Sequence, residues 1–132
     1  MEKIIAAFAT DDGKTLVNRH FGDADKYLIY EITPTKVHQI AVMENTTDEE
    51  EDTHADPKKA KGISQLMKKK GVQVLVSKKF GSNINRMKKQ YVCVLMNSEK
   101  IADGIETIQD NFENITKEWQ KGSERHFLNL KV

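Results

Sequence analysis

Val72-Gln73-Val74-Leu75-Val76-Ser77 and Tyr91-Val92-Cys93-Val94-Leu95-Met96, with Ser82-Asn83-Ile84-Asn85-Arg86-Met87 between them, decide the fold of this chain. Each outer run is short, apolar and rich in β-branched residues, as a strand covered on both faces must be. The middle stretch is predicted to be a helix that begins near Ser82 and turns Ile84 and Met87 inward. Upstream, Asp56-Pro57 opens another helix, with Asp as cap and Pro at the first helical position. Its Ala60, Ile63, Leu66 and Met67 recur at helical spacing until Gly71 stops it. Two strand-helix-strand units in succession make the later half of the sheet parallel, and the class α/β.

The earlier half reads differently. Lys3 to Thr10 is a buried strand built on Ile4, Ile5, Ala6, Ala7 and Phe8, and Asp11-Asp12-Gly13-Lys14 turns it. Tyr27 to Ile32 and Val37 to Met43 are joined by Thr33-Pro34-Thr35-Lys36, a link short enough to force an antiparallel pair. The first three strands therefore form a meander. A polar loop from Glu44 to Ala55 carries the five acids Asp48 to Asp52, which repel one another and read as a solvated segment.

Beyond the parallel strands, Ser98 is predicted to cap a helix with a stripe of Ile101, Ile105, Ile108, Phe112, Ile115 and Trp119. One continuous helix to about Lys121 would run on the order of 35 Å, so that its distal half overhangs the core and packs on a second copy as a homodimer. The alternative is a bend near Asn111 to Asn114 that folds the stripe back onto the chain's own sheet. Gly122 reads as the terminator, and Leu128, Leu130 and Val132 alternate like a short strand.

The composition narrows the function classes. A chain of 132 residues is one domain with a real core. Its 21 basic and 20 acidic residues nearly cancel, which argues against nucleic acid as a partner. No apolar run approaches the roughly 20 residues of a membrane span, and Met1-Glu2-Lys3 leads straight into a strand, so the expectation is a cytoplasmic protein without a membrane partner. The single cysteine, Cys93, sits in an apolar run and reads as a buried structural thiol.

His20-Phe21-Gly22 is the most informative functional motif. It follows the first strand and the acidic turn, and a glycine beside an imidazole lets backbone approach a guest. A polar hairpin end whose histidine does nothing accounts for the same residues. His38, His54 and His126 are scattered along the chain and read as surface residues.

The element order, His20-Phe21-Gly22 after the first strand, Tyr27-Leu28-Ile29-Tyr30 beyond it, and Gly71-Val72-Gln73-Val74-Leu75-Val76 with Gly81 further on, resembles the dinitrogenase iron-molybdenum cofactor biosynthesis family. These are the small NifX-like domains, and the resemblance covers roughly residues 1–110, leaving residues 111–132 as a C-terminal helix and strand extension. It implies a ribonuclease H-like motif: a five-stranded mixed sheet in the order 3-2-1-4-5 with flanking helices, the first and fourth strands adjacent and parallel. Family members associated with nitrogenase bind or carry an iron-sulfur-molybdenum cofactor or its precursor. This chain differs in three places: Lys78-Lys79-Phe80-Gly81 stands where Gly-Gly-x-Gly is common, the loop after the third strand is acidic with only His54, and residues after about 110 extend past the usual end.

With that strand order, the turn at His20, Phe21 and Gly22 and the turn at Lys78, Lys79, Gly81, Ser82 and Asn83 share one crevice at the C-terminal ends of the strands. Two ammonium groups, an imidazole and the N-H groups of the helix beginning near Ser82 would suit an anion or an anionic cluster, with His20 supplying one bond to the metal. Solvated surface charge is the plainer account of Lys78 and Lys79. A two-metal nuclease would need converging carboxylates; Asp11 and Asp12 end the first strand, but Ser77-Lys78-Lys79 adds no acidic partner. No Walker loop, dinucleotide fingerprint or nucleophile elbow occurs. The sequence thus points to a non-enzymatic binding or carrier protein for an anionic ligand, an iron-sulfur or iron-molybdenum type cofactor or precursor being the case the resemblance implies. Its rival is a regulatory or protein-interaction domain acting as a homodimer without a cofactor.

Overall fold

A computed structural model describes residues 1–45 and 57–132, with the side chains of residues 57–61 and 63 left aside. The cap at Asp56, the acids 48–52, His54 and the inward faces of Ala60 and Ile63 lie outside the described residues. Three antiparallel strands come first: β1 (Ile4–Thr10), β2 (Lys26–Ile32) and β3 (Val37–Glu44). The β2–β3 link closes on itself, Thr33 N donating to Lys36 O at 2.9 Å and Lys36 N to Thr33 Oγ1 at 2.9 Å. Helix α1 (Pro57–Lys69) then leads through Gly71, whose φ of +70° is the left-handed stop a helix end favours. Strand β4 (Val74–Ser77) pairs parallel with β1, as the family resemblance implies, and β5 (Val92–Met96) parallel with β4, as read from the sequence.

Three sequence expectations are corrected. The helix between β4 and β5 is a single turn, α2 (Ile84–Met87), rather than one starting near Ser82. The long final helix is two helices, α3 (Ile101–Asp110) and α4 (Phe112–Gln120), broken at Asn111. Asn111 Nδ2 donates to Thr107 O at 2.9 Å, the side-chain-to-backbone competition that interrupts a helical ladder. The chain takes the bend, and Ile101, Ile108, Phe112 and Ile115 are buried against their own sheet instead of overhanging it. Finally, Leu128–Leu130 is a sixth strand, β6, lying parallel beside β5, so the order is 3-2-1-4-5-6. Arg125 steers the chain into it: the guanidinium stacks 4.3 Å from the Trp119 ring and donates to Trp119 O at 2.8 Å and Lys89 O at 3.0 Å.

Strand alternation divides the core in two. Ala6, Phe8, Leu28, Val74, Val76, Val92 and Val94 face α3 and α4; Ala7, Ala9, Tyr27, Ile29, Leu75 and Cys93 face α1 and α2. The crossover from β4 to β5 passes over the α2 face, and the next, from β5 to β6 in the same direction, passes over the other. The two are therefore of opposite hand, and one departs from the usual right-handed rule. Among the described residues, no helix is long and apolar enough to cross a membrane.

Candidate functional site

The loop after β1 is built by one carboxylate. Asp12 accepts the N-H groups of Thr15 and Lys14, each at 2.8 Å, and the Thr15 hydroxyl at 2.8 Å. These bonds hold its carboxyl far below the usual carboxylate range. Asp11 receives the Arg19 guanidinium at 2.7 and 2.8 Å and the Asp25 N-H at 2.8 Å. Burial raises the pKa of Asp11, but the Arg19 hydrogen bond and charge and the Asp25 N-H outweigh it, and the net shift is downward. Both acids are thus committed to structure.

From there the chain runs as a strap across the C-terminal ends of the parallel strands. Val17 N donates to Ala9 O near the end of β1 (2.9 Å), Phe21 N to Lys79 O after β4 (2.7 Å), and Leu16 N to Glu99 O after β5 (2.9 Å). In return Ile101 N donates to Lys14 O at 2.9 Å, so the strap satisfies the first N-H of α3. Ser98 does not cap that helix; its hydroxyl donates to Lys100 O at 2.7 Å, and Lys100 makes no side-chain cap.

The strap brings the two sequence-picked turns together. His20 and Lys79 form a parallel bridge, and Phe21 stacks on Phe80 with ring centroids 5.3 Å apart. Phe21 also packs on Tyr27, whose hydroxyl donates to Phe21 O at 2.8 Å. Gly22 is buried, and its carbonyl accepts from Asn45 Nδ2 at 2.8 Å. Phe21 and Gly22 are therefore the packed underside of the junction, and its outer surface belongs to His20, Gly81, Lys79 and Ser82. The His20 side chain is 32% exposed, with Nδ1 3.9 Å from Asp23 Oδ2. It lies over Gly81, which has φ +69°: a Cβ there would meet Nδ1 at 2.7 Å and Cε1 at 2.9 Å.

The remaining picks separate. Lys79 and Ser82 are exposed. Asn83 is buried, its Oδ1 accepting from Arg86 Nη1 at 3.3 Å. Because α2 has four residues, its N-H groups do not sum to the dipole of a full helix, and the anion site expected there has no helix behind it. Lys78 leaves the junction: its ammonium meets Glu99 Oε1 at 2.6 Å beside a cavity formed with the ends of β5 and β6. The sequence reading placed residues 10–23 on one side of the crevice with 78–83 on the other, but it assigned no role to the anchors Asp12 and Leu16 and missed Asn45, which lies outside that span. The only sequence signal for them was the cluster of turn-forming residues after β1, because most of the strap's bonds are main-chain.

The donor set fits a preassembled cluster better than a bare ion. Among the described residues no three His, Cys, Asp or Glu side chains converge as a metal site. Cys93 is fully buried, and burial pushes its thiol up to about 12, so no thiolate is offered. His38 and His126 are exposed and far along the chain from His20. An imidazole at a backbone cradle can add one bond to a cluster that brings its own sulfides.

Comparison with known proteins agrees with this architecture. The family model for the dinitrogenase iron-molybdenum cofactor matches residues 2–111. No curated protein matches the chain. An NMR structure from Methanococcus jannaschii, provisionally described as a dinitrogenase, is similar in fold: TM-score 0.60 at 18% identity, covering 85% of this chain and 92% of that one. With five strands in the expected order and a family match over most of its length, the chain belongs to the dinitrogenase iron-molybdenum cofactor family.

Proposed function

We propose that the chain is a non-enzymatic carrier that holds an anionic metal-sulfur cluster, of the iron-molybdenum cofactor type or a precursor, on the outer surface of the His20–Gly81 junction. The observation that carries this reading is the imidazole laid over a glycine that no side chain could replace without displacing it. His20 supplies one bond to the cargo, the exposed Lys79 supplies positive charge, and the bare Gly81 backbone allows close approach. The chain contributes binding and orientation and no chemical step; Asp11 and Asp12, which follow β1, are engaged by Arg19 and by the turn. Isolated iron-molybdenum cofactor mixed anaerobically with the protein, followed by gel filtration, metal analysis and visible absorbance, tests it. Wild type is expected to retain molybdenum, iron and colour, and His20→Ala to lose them with an unchanged circular dichroism spectrum. Equal retention by the two forms removes His20 from the site, and no retention by wild type ends the carrier reading.

A second reading, a cofactor-free interaction domain acting as a homodimer, is favoured by one observation. The stripe first assigned to a partner is covered by the chain's own sheet, but edge strand β3 leaves Val37, Ile40 and Val42 at 42%, 40% and 52% exposure. Such an edge is open to strand pairing with a second copy. Light scattering separates this reading from a monomeric carrier.

A further inference from the structure

We propose that the C-terminal ends of β4, β5 and β6 form a second site, a pocket for a small organic carboxylate anchored by Lys78, with Glu99 as its built-in stand-in. The loop leaving β4 goes to the α2 face and the loop leaving β5 to the α3 face. Divergence of this kind opens a crevice at the strand ends, the preferred place for ligands in open α/β sheets. A cavity of 390 Å³ lies there, within the usual range for small-molecule sites.

Its walls select a ligand class. Leu95 and Met96 are its apolar lining residues, and Asn18, Asn97 and Asn129 bring three carboxamide-bearing residues to it. Carboxamides both donate and accept, which suits hydroxyl or carbonyl substituents. Asn97 Oδ1 already accepts from Val132 N at 3.2 Å, so its amide nitrogen is the group left to donate. The one cation is Lys78, and its pairing is lopsided: the Lys78 side chain is 15% exposed, that of Glu99 78%. The lysine is built into the wall while its partner reaches in from solvent. With Glu99 this exposed, the carboxylate is screened by solvent and its flexible side chain loses entropy when held, so a ligand carboxylate with added contacts to the asparagines can take its place. A single cation beside an acid is poorly matched to a phosphate dianion, which limits the class to carboxylates.

The pocket's lining includes none of His20, Lys79, Gly81 and Ser82, the residues of the proposed carrier surface, and the inference does not rest on that reading. Asn129 comes from β6, beyond the residues 2–111 of the family match, so the third wall is a feature of this chain's extension.

Titration of the full chain with sodium lactate, pyruvate or succinate, followed by NMR of the asparagine side-chain amides, tests the site, with lactamide as the uncharged control. At least one acid is expected to move the amides of Asn18, Asn97 and Asn129 saturably while lactamide does not. Lys78→Met should abolish the response, and Glu99→Gln, which removes the competing carboxylate, should tighten binding about two- to fivefold. A merely structural ion pair would show no such gain. Amides unmoved by all three acids at tens of millimolar, or an affinity unchanged or weakened in Glu99→Gln, overturns the proposal.

Discussion

Gly81→Ala, measured beside Gly71→Ala, isolates the contact on which the candidate site depends. Both glycines have nearly the same left-handed backbone, φ +69° and +70°. An alanine pays about 1–2 kcal/mol in that region whatever surrounds it. At Gly71 a Cβ meets nothing within 4 Å, so Gly71→Ala reports backbone strain alone. At Gly81 the same Cβ falls 2.7 Å from His20 Nδ1, and the imidazole must turn away. An off-rotamer side chain costs about 0.5–1.5 kcal/mol, so Gly81→Ala should be the worse of the two by that margin. Urea unfolding followed by circular dichroism resolves this difference, which corresponds to about 4 °C in Tm per kcal/mol for a chain of this size. In a His20→Ala background the extra cost should vanish and the two alanines should become equal. The His20 Cε1 proton signal should shift in Gly81→Ala and stay in place in Gly71→Ala. A Gly81→Ala protein no less stable than Gly71→Ala, or an excess that persists without the imidazole, refutes the placement of His20 over Gly81.

Three further outcomes are expected. Cys93, with its thiol pushed up to about 12 by burial, should react with a disulfide reagent only on unfolding, and rapid labelling of the native protein would contradict its position in β5. Asp12 has a folded pKa below its ordinary 3.8, so its contribution is present above that pH and lost as pH falls toward the folded value. The stability gap between wild type and Asp12→Asn should therefore close below about pH 4, and a gap independent of pH would place the effect elsewhere. Ser77 Oγ is buried without a hydrogen-bond partner among the described residues, a situation that costs about 1–3 kcal/mol, so Ser77→Ala should leave stability unchanged or raise it. A loss above 1 kcal/mol, by the same measure, would reveal a partner for the hydroxyl.

The parallel half of the sheet was legible because Val74–Ser77 and Val92–Met96 carry their burial in their composition, and Gly71 marks the helix end before them. The break at Asn111 was legible only as an alternative: the apolar stripe runs through it without a change of period, and the interruption comes from a side-chain bond to Thr107 O. Leu128 and Leu130 announced a strand, but not its neighbour, which depends on the path of two helices and on Arg125. Within the site, Lys78 and Lys79 looked equivalent in the sequence. Both follow the end of β4, where no strand pattern separates them, and the structure sends one to Glu99 and leaves the other exposed. The strap was the least legible part, since main-chain hydrogen bonds such as Leu16 N to Glu99 O leave no signature in residue type.

That strap also sets an order of assembly. His20 is made early in synthesis, yet the bond that seats its turn waits for Lys79, and the bond that seats Leu16 waits for Glu99. Contacts across such sequence distances form late, after the loops between them have closed. A nascent chain that has emerged only as far as β3 holds the histidine but has nowhere to lay it. The proposed surface therefore matures only once β4 and β5 are in place, and a stalled or clipped product lacking them would not assemble the His20–Gly81 junction.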